Sequence, residues 1–464
     1  MNALRQISAF AFRVFALIVF GLVLFFPQFK GLWIVYGPML VALGLAAAVH
    51  QRLRAGWEPL ATLRTNTFWI VAVIGPAIVQ IGLVFFLRPN PVSDGKFVFD
   101  EALTLAATGQ MSLLTYYPPA QTWWYALWFK LLAPTGLIAQ LSHIPLHTLV
   151  TLLTFALVRL AAPRFARAAA FVVAWYPSFL GYVLTTPYYH YLYTACVVAT
   201  AWGWLASLKK PSASFGAGLA SGIGALTKAT QLIAPAQSAV FWLLAPLSGD
   251  ASAKSTWRRA LIHTGIFTLA MACAIAPWAY RNANVFGEPV LVCTSGGLVF
   301  HSANNEHSNG LYSDLPDAVS IGSPRAMLEH SRESSRLAQQ FIRENPKQFL
   351  ALVWNKILHT WGGEATFTEL INHRGQPLGR LDDVFSLAFF LGWVFIAGLW
   401  AASSITAIRA RAPLSALELA AAIVIFSNAL VFAIFEGGDR HHLPLVPLIV
   451  ATLFSRLADR PKGG

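Results

Sequence analysis

The chain is poor in the residues that soluble, secreted or metal-binding proteins depend on. It has three cysteines in 464 residues, Cys196, Cys273 and Cys293, too scattered for a disulfide framework or a Cys-based metal site. Only 11% of residues are charged, while 56% are hydrophobic and 13% aromatic, with a mean hydropathy of +0.57. That apolar share exceeds the roughly 45–50% usual in soluble domains, so the sequence reads as an integral membrane protein. No repeat of 20–50 residues and no low-complexity tract marks a solenoid or a disordered tail. The formal charge of +13 would suggest nucleic acid in a soluble chain; here its distribution between loops matters more, and no nucleic-acid partner is expected.

Apolar runs of about 17–25 residues are the unit of a helical span. Twelve candidates, several short or interrupted, cover 9–26, 32–49, 68–86, 144–160, 168–183, 191–208, 215–227, 232–247, 261–278, 384–405, 414–435 and 443–457. The first lacks a small-residue cleavage site and reads as an uncleaved span. An even count puts both termini on one side. That side gathers 18 Lys or Arg against four acids (Glu58, Asp250, Glu418 and Asp459), a net of +14, whereas the other side nets −1. The basic side is expected to be cytoplasmic.

Two segments on the other side are long. One covers 87–143 and includes AQTWWYALWFKLL after Pro118 and Pro119; a span there would put Arg164 and Arg167 outside, so it reads as a helix lying in the interface. The other covers 279–383 and includes a predicted helix over 324–344 and an apolar stretch over 349–361. The expected division is an N-terminal hairpin and loop (1–67), a transmembrane core (68–278), an external segment (279–383) and C-terminal spans (384–464). The fold class is all-α and polytopic, with about 12 transmembrane helices and a small cap of interfacial helices and loops.

Polar residues stand out against so apolar a background. In VSDGKFVFDE, Asp94 precedes a helical pattern; Ser93 or Asp94 suits an N-cap, and Asp94 also suits a general base where lipid meets water. Asp100 is an open second carboxylate, and Glu101 reads as part of a solvated face. Lys228, in GALTKATQLIAP, falls between two short apolar runs, where a lysine either snorkels to the interface or meets an anion such as a lipid phosphate. EGGDRHHLPLVP places Glu436, Asp439, Arg440, His441 and His442 at the end of a span. The forked guanidinium of Arg440 fits a phosphate or pairs with a neighbouring acid, and adjacent histidines point apart on a helix, so the metal signal is weak. In PWAYRNANVFGEPVLVCTSGG, Pro277 and Trp278 are expected to end a helix and Arg281 to reach headgroups or a phosphate. Tyr116, Tyr117, Trp123 and Trp124 suit either stacking on a sugar or prenyl chain, or interfacial anchoring.

Taken in order, the acidic residue after an early span, YYPPAQTWWYALWFKLL, ALTKATQLIAP, PWAYRNANVFGEPVLVCTSGGLVFHSANN, ENPKQFLALVWNKILHTW and GGDRHHLPLVPLI resemble the GT-C superfamily of membrane glycosyltransferases. The branch most similar is the bacterial protein O-mannosyltransferase and aminoarabinose-transferase-like group, over about 68–457. The resemblance implies transfer of a sugar from a polyprenyl-phosphate donor to a cell-envelope acceptor, by an inverting single displacement on the external face of a bacterial inner membrane. It maps the catalytic carboxylate onto Asp94 and the donor-phosphate contacts onto Lys228, Arg281 and Arg440; Asp100 as a second carboxylate, and His441 and Tyr117 as substrate contacts, are candidates from the residues themselves. No cofactor is required on this reading, and a divalent metal is left open. The chain departs from the pattern in its additional N-terminal hairpin, in Gly95 where a second acid is found, and in His441 where an aromatic residue is common. The competing readings are a polytopic transporter, which the absence of two matching halves disfavours, and a glycan ligase or polymerase using a diphosphate donor.

Overall fold

The computed structural model describes residues 2–24, 50–87, 91, 93–112, 115–184, 189–248, 257–313, 323–364, 372–373, 376–377 and 380–458. Their architecture is helical, apart from a two-residue antiparallel pairing of 372–373 with 376–377. The helices in chain order are α1 (Asn2–Leu24), α2 (His50–Thr62), α3 (Thr65–Leu87), α4 (Ser93–Thr108), α5 (Ala120–Leu131), α6 (Gly136–Ala161), α7 (Pro163–Ala174) and α8 (Pro177–Leu184). Next come α9 (His190–Ser207), α10 (Ala213–Thr227), α11 (Ala234–Leu244), α12 (Trp257–Phe286), α13 (Gly296–Ser302), α14 (Pro324–Glu344) and α15 (Pro346–Trp361). The chain closes with α16 (Arg380–Arg409), α17 (Ala416–Ile434) and α18 (Val446–Ala458).

Among the described residues, six helices, α1, α3, α6, α12, α16 and α17, are long and apolar enough to cross a membrane. The protein is a multi-pass membrane protein. The expected span 32–49 lies outside the described residues. The expected single span 168–183 is instead broken into α7 and α8, bent by 51°. Pro177 explains the break, because proline disfavours helical backbone at the residue before it, and Tyr176 is extended (φ −64°, ψ 123°). A second correction concerns Pro277, which was expected to end its helix. The helix α12 continues through it to Phe286, held by tertiary bonds: Trp278 Nε1 donates to Val292 O (2.7 Å) and the buried Asn282 Nδ2 to Val290 O (2.9 Å).

Small residues let three helices meet at backbone distance. A Cβ on Gly203 of α9 would fall 2.6 Å from the Cβ of Ala217 on α10. One on Gly218 of α10 would fall 2.2 Å from Phe267 O of α12, and one on Gly222 would fall 2.5 Å from the Cβ of Ala274. Spacing of small residues by four gives α10 one smooth face, the usual way to gain contact where lipid supplies no hydrophobic drive. This packing fixes the end of α10, and the residue immediately after that end is Lys228.

The two long polar segments join at one end of the bundle. Thr294 N donates to Thr115 O (3.0 Å), and Gly437 N donates to Gly310 O (3.0 Å). The predicted helix 324–344 is present with those bounds as α14, and the apolar stretch 349–361 lies within α15.

Candidate active site

Asp94 is the second residue of α4, inside its first turn. A carboxylate there is favoured by the unpaired amides and the positive end of the helix dipole. Tyr117 Oη donates to Asp94 Oδ1 at 2.6 Å. The strand of chain carrying Tyr117 is itself tied down: Ser112 N donates to Glu101 Oε2 (3.1 Å), and Arg281 donates to Ser112 O and to Thr115 Oγ1, both at 2.6 Å.

Lys228 follows α10 in an extended conformation (φ −148°, ψ 119°). Its Nζ donates to Tyr189 Oη (2.7 Å) and lies 3.0 Å from His441 Nδ1. The ammonium also sits over the rings of Tyr189 and Phe432, 4.3 and 4.9 Å from their centres. Burial, reinforced by the neighbouring Arg440 charge, pushes the Lys228 ammonium down to about 7. His441 lies flat on Phe432, with centroids 4.2 Å apart and rings 4° from parallel. Burial and then the Lys228 charge push His441 to about 3, so it faces Lys228 as a neutral acceptor.

Arg440 Nη2 donates to Glu436 Oε1 at 3.1 Å. Burial opposes the charge of Glu436, but His441, Arg440 and Lys228 outweigh it and hold the carboxyl down at about 2. The turn bearing these residues is clamped from behind. Lys356 of α15 is fully buried and donates to Asn304 Oδ1 (2.6 Å) and Ile434 O (2.9 Å), while Asn304 Nδ2 reaches Ile434 O and Phe435 O. Gly437 must be glycine here, since a Cβ would come 2.5 Å from the Cα of Lys356.

His442 turns away from its neighbour. Its Nδ1 lies 2.6 Å from Thr360 O and its Nε2 2.8 Å from Glu364 Oε1, and its ring stacks on Trp393 at 4.0 Å. Glu364 also accepts from Tyr176 Oη (2.7 Å) and from Ser178 Oγ. The adjacent histidines therefore do different work: His441 faces the cavity, and His442 anchors the turn to α15 and α8. Among the described residues, no three His, Cys, Asp or Glu side chains converge as a metal site.

These parts enclose a cavity of about 360 Å³ lined by Asp94, Tyr117, Tyr189, Lys228, Glu436, Arg440 and His441, with Ile233, Val431, Phe432 and Phe435 as apolar wall. Ligand pockets fall at about 300–1,000 Å³. A small annex of about 50 Å³ adjoins it, and Asp94 and Tyr117 border both. Asp94, Tyr117, Lys228, Arg440 and His441, all singled out in the sequence, thus meet at one place. Asp100 does not join them: it pairs with Lys96 at 2.6 Å on the exposed face of α4. Arg281 also lies apart from this lining; its guanidinium is spent on the segment that carries Tyr117. Trp123 and Trp124 bond to Met111 and Ser142, away from the cavity. Glu436 was read in the sequence as a partner for Arg440 and as part of a weak metal signal, and Tyr189, Phe432, Lys356 and Glu364 were not singled out.

The sequence matches no family model, and no curated protein matches it. Solved structures do. The chain is similar to the archaeal oligosaccharyltransferase AglB from Archaeoglobus fulgidus, in complex with an inhibitory peptide and a dolichol-phosphate, at 15% identity and a TM-score of 0.50. That match covers 85% of this chain and 50% of the other, so the chain spans about half the length of AglB. ArnT from Cupriavidus metallidurans, bound to undecaprenyl phosphate, matches at 14% identity and a TM-score of 0.41, over 84% of this chain and 77% of ArnT. The fold expected from the motif order is met to that extent: the chain shares the fold of the matched half of AglB.

Proposed function

Starting from that fold, we propose that the chain is a glycosyltransferase that moves a sugar from a polyprenyl-phosphate donor to an acceptor of the cell envelope. The observation that carries this reading is one cavity holding a carboxylate with a tyrosine partner (Asp94, Tyr117), two cations (Lys228, Arg440) and an apolar wall. The dolichol-phosphate in the AglB structure supports a lipid phosphate as the shared ligand chemistry.

The chemistry follows from charge. An acceptor oxygen attacks the anomeric carbon as the bond from that carbon to the phosphate oxygen breaks, with inversion. The phosphodiester of the donor becomes a phosphate monoester and gains negative charge. Lys228 and Arg440 stabilise that charge, which is worth most in a site shielded from water. The proton of an acceptor hydroxyl passes to Asp94, whose Oδ1 is held by Tyr117. Ile233, Val431, Phe432 and Phe435 take the first isoprene units. Glu436 restrains Arg440 and keeps the empty site near neutrality, so that a phosphate entering it displaces an internal partner and not bulk water alone.

We also place the site on the external face of a bacterial inner membrane, because the opposite end of the bundle carries the Lys and Arg excess. A nucleotide is not needed there, since the activated sugar arrives on its lipid. The test is sugar release by the purified protein in nanodiscs from matched polyprenyl-monophosphate and polyprenyl-diphosphate sugars. Turnover of the monophosphate alone is expected. Preference for the diphosphate would make the chain a ligase or polymerase, and solute movement with no turnover of either donor would make it a transporter.

A further inference from the structure

At the far end of α17, about 28 Å from the active-site turn by helix rise over its 19 residues, two buried arginines share one acid. Arg456 Nε donates to Glu418 Oε1 at 2.6 Å, and Arg13 Nη2 lies 3.7 Å from the same oxygen. Arg13 also donates to the carbonyls of Ala412 (2.7 Å), Ala407 (3.3 Å) and Pro413 (3.2 Å). The cluster thus holds one positive charge in excess, inside a membrane protein. Arg13 is 2% exposed, yet among the described residues its Nε has no hydrogen-bond partner, and the same holds for Nη2 of Arg456. Buried charge without a counter-charge is costly, and the arrangement calls for an anion.

A cavity of about 550 Å³ opens at this point, lined by Gln6, Ile7, Phe10, Arg13, Ile408 and Arg411 among others. Arg411 is notable for its backbone. It ends α16 with φ +46°, its N–H donating to Ile408 O (3.0 Å) while Ala412 N–H donates to Ala407 O (3.1 Å). These are the two bonds of a Schellman helix end, whose left-handed position glycine normally fills. This chain accepts the strain of a side chain there, and that side chain is a guanidinium on the wall of the cavity. Ile7 and Phe10, 63% and 56% exposed, form an apolar strip on α1 beside it.

We propose that this cavity is a binding site for an anionic phospholipid, its phosphate held by Arg411 and Arg13 and an acyl chain lying along Ile7 and Phe10. The charge selects the headgroup and the apolar strip selects a lipid over free phosphate. The site lies on the Lys- and Arg-rich side, and it is independent of the reaction at the other end of the bundle.

The test uses the full chain in phosphatidylcholine nanodiscs containing a photoactivatable phosphatidylglycerol, with retained lipid counted by native mass spectrometry and cross-links mapped on peptides. Three proteins are compared: wild type, Arg411→Gly, and Arg409→Ala as a control at the last residue of α16, outside the cavity. Arg411→Gly is expected to retain phosphatidylglycerol at least about tenfold less well, as for loss of a charge-assisted hydrogen-bonded contact. In pure phosphatidylcholine it should melt no lower than wild type, because glycine relieves the left-handed strain. Arg409→Ala should lose at most about fivefold, the worth of a basic residue merely near an anionic surface. Wild-type cross-links should fall in residues 6–13 and 408–412. Equal retention by Arg411→Gly and wild type, equal losses in both variants, cross-links elsewhere, or full displacement of the lipid by millimolar inorganic phosphate would each overturn the proposal.

Discussion

Donor binding should weaken as pH rises through neutrality, and Lys228 should be the reason. Its ammonium is pushed down to about 7, whereas Glu436 at about 2 and His441 at about 3 keep one charge state across pH 6–9. A polyprenyl-phosphate sugar is a phosphodiester, which does not titrate in that range either. A bound phosphate favours the charged ammonium, so the complex takes up a proton wherever free Lys228 is neutral. The sign is fixed by this linkage: affinity is flat below about pH 7 and falls above it, by tenfold per unit in the limit. Between pH 7 and 8.5 the loss is of the order of tenfold. Binding of a short-chain donor to protein in nanodiscs, followed by fluorescence across pH 6–9, measures it. Lys228→Arg keeps a charge that does not titrate and should flatten the profile. A flat wild-type profile, or a slope that persists in Lys228→Arg, would refute the reasoning.

Other consequences are sharper in one variable each. Tyr117→Phe removes the hydrogen bond to Asp94 and should lower kcat about tenfold with little change in donor KM, the expected cost of one charge-assisted bond; single-turnover kinetics separate the two. Gly437→Ala forces a Cβ against the Lys356 backbone and should cost about 1–3 kcal/mol, as for overpacking, read as a lower unfolding temperature. Because Lys228 and Arg440 supply positive charge without a metal, turnover is expected to survive EDTA; a loss restored by one added divalent ion would contradict that mechanism.

Much of the site was legible because a chain this apolar hides nothing polar at its span ends. Asp94, Lys228 and Arg440 each interrupt a hydrophobic run at a predicted boundary, and the topology brought those boundaries to one end of the bundle. What the sequence withheld was direction. Asp100 lies only six residues after Asp94, yet the Lys96 pair holds it on the exposed face. Arg281 follows a span as Lys228 does, but α12 continues two turns past Pro277, and its guanidinium meets the carbonyl of Ser112. Local spacing cannot foresee this, because the bonds that keep α12 helical come from Val290 and Val292, after a turn. The roles of Lys356 and Glu364 were invisible for a related reason: each looks like an ordinary polar residue of its segment until the partners at 304, 434 and 442 fold against it. The histidine pair divides along the same line, since the Lys228 and Phe432 contacts of His441 and the Thr360, Glu364 and Trp393 contacts of His442 decide which histidine faces the cavity.

The most direct test of the central claim is single-turnover release of sugar from a polyprenyl-monophosphate donor by wild type, Asp94→Asn and Asp100→Asn, all in nanodiscs and all checked for intact folding by unfolding temperature. The account predicts a fall of at least about 10²-fold in Asp94→Asn, within the usual worth of a general base, and a rate within about twofold of wild type in Asp100→Asn. Equal rates in all three proteins, or a loss confined to Asp100→Asn, would contradict it.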